Sequence, residues 1–424
     1  MTNYVPSVMS DLAGLNRAVS HPFALIPGVP VANESIAFDN DWSTPTVVSC
    51  NSRKSYITNR ATSFVRLVYT SYYSYGLNTS QPLNIRGSLE YTSGVYYQAF
   101  FNGKIDGHIS PGSFIISDPI AVPLSQGVNF WIRTHVEGPN IPYISSIQAP
   151  VSAWGEAADV GYNSGQLDKT ISGTISGVGS YYCPTCVIGD SGQNIPYVGL
   201  HGDNIMAGLG DSDNISIYGH GFGRRSLTNT IPHMMIAING DVWGSAPGPR
   251  YEMMYGCTDV ITNMGINNII ALNTLSFLQS SAISGWKSLG RYGSRVWQTT
   301  ITPNTSSTDN WATLANQSIY SYEAVRTGFN TWLRGGAPMI SGVAVAAGTS
   351  GAIVAGQTGH PLAGYFDAAN AVESSLNSGL WKVGYVYLGD SRGTHPNSGG
   401  AALMASTINT TLFTPNITGP GYIV

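Results

Sequence analysis

An all-β sandwich followed by an α/β domain with a doubly wound parallel sheet is the fold class this sequence predicts. Three observations lead there. Residues 64–134 hold short strand-like runs with no helix-length periodicity between them. Beyond residue 180, apolar runs alternate with segments of helical spacing. Between the two, residues 138–180 are richer in Gly, Ser and Pro. A chain of 424 residues is long enough for two such domains, each burying its own core.

In the first half the runs are Phe64–Tyr69, Leu89–Phe101, Phe114–Ile116 and Val128–Thr134. Turn signals separate them at Asn102-Gly103, Asp106-Gly107, Asp118-Pro119 and Gln126-Gly127. The expected division is an irregular, Pro- and Asn-rich arm over residues 1–45, a sandwich over 46–160, a linker over 161–180 and an α/β domain over 181–424. In that last part Cys186–Ile188, Asp259–Met264 and Ser294–Ile301 read as strands. Ile319, Tyr322, Val325, Phe329, Trp332 and Leu333 fall at helical spacing before a Gly335-Gly336 stop. Parallel sheets of this kind place their chemistry beyond the carboxyl ends of the strands.

Only 10% of residues are charged, against roughly 25% in an average globular protein. Ser, Thr, Asn, Gln and Tyr must therefore cover much of the surface, a composition that fits an extracellular or virion-associated protein. The formal net charge of −4 supplies no basic field, so nucleic acid is not an expected partner. No signal peptide is visible. The most apolar long stretch, residues 335–356, is too rich in Gly, Ala and Ser for a bilayer span, so no membrane insertion is expected.

No metal or cofactor is expected. The lone Cys183-Pro-Thr-Cys186 lacks a second pair for a zinc site. The calcium-like start Asp211-Ser-Asp213-Asn214 fails because Ser216 and Phe222 stand where Gly and Glu are needed. Cys50 and Cys257 complete the cysteines, which read as buried thiols or a disulfide.

Four local patterns carry chemistry. Val187-Ile188-Gly189-Asp190-Ser191 puts a serine on a tight turn after an apolar run. The triplet recurs at Gly210-Asp211-Ser212 and Gly389-Asp390-Ser391, but only the first copy follows such a run. Gly221 and Gly223, in a Gly-rich turn, let backbone amides approach a ligand closely, although a plain turn explains them as well. Asn267, in Gly265-Ile266-Asn267-Asn268, can offer an amide N–H to a developing oxyanion. His395, in Gly393-Thr394-His395-Pro396-Asn397 before a final helix, stands where a general base is well placed.

In this order the four resemble the blocks of the SGNH (GDSL-like) hydrolase superfamily over about residues 181–415. The resemblance implies a serine ester hydrolase with Ser191 as nucleophile, His395 as base, and Asn267 with Gly223 (or Gly221) as oxyanion donors. The family's acid lies three residues before the His; here that residue is Arg392, which cannot accept a hydrogen bond. Asp390, Asp367 or a backbone carbonyl must then orient His395. Family strand order also implies a Cys183–Cys257 disulfide, with Cys186 as the competing partner. Two-domain members resemble carbohydrate esterases, so an acetylated polysaccharide is the leading substrate. A polysaccharide-binding adhesin or phage tail component with a scaffold-only hydrolase domain is the first alternative, and a lipase or arylesterase the second. Tyr96-Tyr97 and Phe130-Trp131 are either sugar-stacking or core pairs.

Overall fold

The computed structural model describes residues 28–38, 40–41, 47–71, 82–144, 150–191, 194–211, 221–228, 230–245 and 249–415. Ser212, Tyr218 and His220 lie outside these residues, as does most of the expected arm.

Two antiparallel sheets form the first layer pair. One runs in the order Ala157–Tyr162, Val47–Ile57, Asn129–Glu137, Leu83–Thr92, Val95–Gln98, with Gly107–Ile109 also paired to Leu83–Thr92. The other runs Val29–Pro30, Cys186–Gly189, Val65–Thr70, Phe114–Ile116. Period-two alternation decides which face is buried. Phe130, Ile132, Thr134 and Val136 are all buried, and Tyr69 of the second sheet bonds Thr134 Oγ1 through its hydroxyl at 2.9 Å. The outward-facing Arg133 is covered too, donating to the carbonyls of Lys169 and Gly173 at 3.0 and 2.9 Å.

The second region is a parallel sheet of six strands. Its order is Glu34–Ile36, His233–Met235, Val198–His201, Asp259–Thr262, Arg295–Thr299, Gly364–Phe366. Without the Glu34–Ile36 edge strand, the chain order across the sheet is 2-1-3-4-5. Val198, Leu200, Val260, Ile261 and Val296 are buried, as expected for strands covered on both faces. Helices Leu275–Leu289 and Glu323–Arg334 pack together through stacked Trp286 and Trp332, with centroids 5.7 Å apart.

The expected domain boundary is corrected. Cys186–Gly189 is not the first parallel strand but a member of the sandwich, and Glu34–Ile36, from the expected arm, edges the parallel sheet. The first parallel strand is Val198–His201. Without that strand next to the one ending at Thr262, the reason for a Cys183–Cys257 disulfide disappears. All four cysteines are free and buried. The predicted helix begins at Glu323, because Gln317–Ile319 pairs as a strand with Thr305–Ser307.

A buried ionic chain ties the two regions. Arg224, after the first parallel strand, pairs with Glu34; Lys54 of the sandwich bonds Glu34 at 3.1 Å and Glu156 at 2.8 Å. Burial alone would raise the Glu34 pKa, but Arg224 and Lys54 hold it well below the ordinary carboxylate range. The stabilisation is therefore present above the unfolded carboxylate pKa and is lost as pH falls through the folded one. Glu34→Ala should cost about 3–5 kcal/mol, since it removes the buried carboxylate shared by Arg224 and Lys54, although Lys54 keeps Glu156. Urea unfolding at neutral pH checks this; a loss under about 1 kcal/mol would place the chain's charges in solvent.

Candidate active site

The site assembles at the carboxyl edge of the parallel sheet. Strand Val198–His201 runs into Gly202-Asp203-Asn204. Only glycine passes at 202, because a Cβ there would meet Asn263 Oδ1 at 1.8 Å and Met206 Cβ at 2.6 Å. Asp203 caps the short helix Asn204–Ala207, accepting from the Ile205 amide and from Asn263 Nδ2, both at 2.9 Å. This cap and the Asn263 clamp fix Asn204 at the head of the first strand.

The third strand ends in the turn that carries Asn267. Its Nδ2 donates to the Asp241 carbonyl at 3.0 Å and lies 3.5 Å from Asn204 Oδ1. Asn268 points elsewhere: its Oδ1 accepts from the Trp243 amide at 2.8 Å and its Nδ2 bonds the Trp243 carbonyl at 3.1 Å. It therefore braces the loop after the second strand. His201, in the strand itself, is buried and bonded to Thr262 and Tyr251, so it belongs to the core.

His395 sits before helix Ser398–Ser406, which Asn397 caps by accepting from the Gly400 amide at 3.0 Å. Its loop is pinned by Trp381 Nε1 on the Gly393 carbonyl at 2.8 Å and by Asn304 Nδ2 on Thr394 Oγ1 at 2.7 Å. Nδ1 bonds Asp390 Oδ2 at 2.6 Å. The same oxygen accepts from the Thr394 amide at 2.7 Å, and Asp390 Oδ1 accepts from the Arg392 amide at 2.9 Å. Burial pushes the Asp390 pKa up, but the His395 and backbone hydrogen bonds outweigh it and hold the carboxyl well below its ordinary range. A carboxylate on Nδ1–H leaves Nε2 as an acceptor. What faces Nε2 is the side-chain amide of Asn204.

The structure thus brings together His395, Asp390 and Asn267 around Asn204. Ser191 follows a strand of the sandwich, where Asp190 is tied to Thr62 Oγ1 at 2.7 Å and to the Ser63 amide at 2.8 Å. The side chain in front of the imidazole is that of Asn204. Gly221 and Gly223 lie before the second parallel strand, His233–Met235, and not after it. Gly223 packs against Met206 and Leu200 with no room for a Cβ, and the Gly221 amide is occupied by Asp211 Oδ2 at 2.9 Å. The loop after the second strand is instead 236–241, and its Asp241 carbonyl meets Asn267. Asp367 caps helix Ala368–Val372 and binds Arg334, so it does not compete for His395.

Asn204, Asp203 and Asp241 are absent from the sequence-based assignment. The signal was present: the apolar run 197–201 leads directly into Gly202-Asp203, and Ile205-Met206-Ala207 follows. Asparagine in third place hid it.

Asp203 makes one prediction of its own. Its Oδ2 is buried with no partner among the described residues, and burial raises its pKa to about 6 despite the Asn263 and Ile205 hydrogen bonds. The folded state therefore holds this proton where the unfolded chain has lost it, so stability falls as pH rises from about 4 to 6. Asp203→Asn keeps a capping oxygen and should remove that fall, gaining about 2–3 kcal/mol over wild type at pH 7. Denaturant midpoints across pH 4–8 test it; parallel curves for the two proteins would contradict it.

Among the described residues no cluster of three His, Cys, Asp or Glu side chains is placed to hold a metal. None of the described helices is long and apolar enough to cross a membrane. The arrangement can orient an imidazole as a base and present an amide to an oxyanion, but it offers an amide nitrogen where an acyl-enzyme requires a nucleophile.

No known family profile matches the sequence, and no curated protein matches it. Among solved structures, a lipolytic G-D-S-L family protein from Veillonella parvula is 14% identical, with a TM-score of 0.33 over 50% of this chain and 94% of that one. A GDSL-like lipase from Bacteroides thetaiotaomicron is 11% identical, with a TM-score of 0.31 over 51% and 87%. An active-site mutant of a family two carbohydrate esterase from Clostridium thermocellum is 13% identical, with a TM-score of 0.31 over 90% and 96%. These likenesses are distant; the strand order and the residues at the strand ends are read from the chain itself.

Proposed function

We propose that the Asn204–His395–Asn267 site recognises a carboxylic ester, and that it does so without forming an acyl-enzyme. The observation that carries this reading is the Asn204 amide in front of His395 Nε2. An amide nitrogen has its lone pair delocalised and cannot replace a serine alkoxide. It can donate to the imidazole, and an ester carbonyl would take the place of the long 3.5 Å contact between Asn267 Nδ2 and Asn204 Oδ1. The ester-bearing ligand we propose is an O-acetylated polysaccharide. Isothermal titration with an acetylated and a deacetylated xylan or mannan tests this. Tighter binding of the acetylated form, reduced by Asn267→Ala, is the expected result, and equal affinity for both forms would reject it.

The intact Asp390–His395 bond favours a second reading, in which the imidazole activates water directly. That reading predicts slow acetate release that His395→Ala abolishes and that leaves no covalent intermediate.

A further inference from the structure

A cleft of about 410 Å³ lies where the sandwich meets the edge of the parallel sheet, and it shares no lining residue with the Asn204 site. Its volume and its place at the junction of two structural units are typical of small-ligand sites. Trp131 and Trp154 line it, both half-buried. Trp131 is held rigidly: its Nε1 donates to the Trp154 carbonyl at 2.8 Å, and the Arg53 guanidinium sits 4.2 Å from its ring centroid. A ring already fixed in place loses little freedom when a ligand stacks on it.

Charge decides the ligand class. The two cations in the cleft wall are both spent. Arg53 is bonded to Glu90 at 2.7 and 3.0 Å and to the Gly155 carbonyl, while Lys54 is paired with Glu34 and Glu156. A phosphate or carboxylate would have to displace a carboxylate already in place. Exposed polar side chains remain at the rim: Ser93 and Asn129 make no side-chain hydrogen bond among the described residues. A fixed indole ring at Trp131, neutralised charge and open hydroxyl and amide groups suit a neutral, polyhydroxylated ring.

We infer that this cleft is a binding site for a neutral saccharide, separate from the ester site and independent of its chemistry. The test is tryptophan fluorescence titration of the whole chain with cellohexaose, mannohexaose and chitohexaose. At least one should bind saturably with Kd of millimolar or tighter. Trp131→Ala should weaken that binding tenfold or more, Trp131→Phe less, and His395→Ala not at all. Should Trp131→Ala fail to fold by circular dichroism, Ser93→Ala/Asn129→Ala replaces it, with an expected weakening of about threefold or more. No saturable binding of any of the three up to about 10 mM overturns the inference. So does binding that survives the cleft substitutions and is lost in His395→Ala, because the sugar would then occupy the ester site.

Discussion

Asn204→Ser should turn this chain into an ester hydrolase, raising kcat/KM for p-nitrophenyl acetate by roughly 10³-fold or more over wild type. The base and the acid that orients it are in place. Asp390 holds Nδ1 of His395 at 2.6 Å, so the substituted hydroxyl would meet an imidazole in the accepting tautomer. Asp203 and Asn263 fix the backbone of position 204 whatever its side chain, through the cap on Ile205 and the 2.9 Å clamp. Asn267 Nδ2, 3.5 Å from the Asn204 side chain, is close enough to serve the oxyanion once the carbonyl of a substrate replaces that contact. The hydroxyl is smaller than the amide it replaces, so no backbone shift is needed to admit it. Unchanged turnover in a folded Asn204→Ser protein would mean that the site is not arranged for acyl transfer.

In that Asn204→Ser background, Asp390→Asn should cut kcat by about 10³- to 10⁴-fold with the fold intact. The carboxylate selects the tautomer with hydrogen on Nδ1 and stabilises the imidazolium formed during attack. An amide there can turn its NH₂ toward Nδ1, leave hydrogen on Nε2 and so direct a donor at the hydroxyl. Asp390 also accepts from the Thr394 and Arg392 amides, so the variant's melting temperature must be measured alongside. A loss in kcat that tracks a loss of folded protein would make Asp390 a loop brace only.

The parts of this arrangement that were legible in the sequence are local ones. His395 and Asp390 share one short loop, and Asn267 follows Gly265 at a strand end, so each is recognisable without knowing the sheet order. The expectation for Ser191 differs from the structure for a physical reason. Cys186–Ile188 and residues 198–201 are both short buried apolar runs, and periodicity cannot tell an antiparallel sandwich strand from a parallel one. The serine in Gly189-Asp190-Ser191 then outweighed the asparagine in Gly202-Asp203-Asn204. The sandwich boundary was misplaced by the same error. The contribution of Glu34–Ile36 was illegible because a three-residue strand carries no pattern; its burial comes from Arg224, Lys54 and the neighbouring strand at His233.

The central claim, that Asn204 stands where an SGNH nucleophile would, is tested most directly by fluorophosphonate labelling read as intact mass and mapped by peptide. Wild type should remain unlabelled, and Asn204→Ser should take up one equivalent on the peptide containing position 204. Labelling of wild type at Ser191 or Ser212, or an Asn204→Ser protein that stays unlabelled while folded, would contradict it.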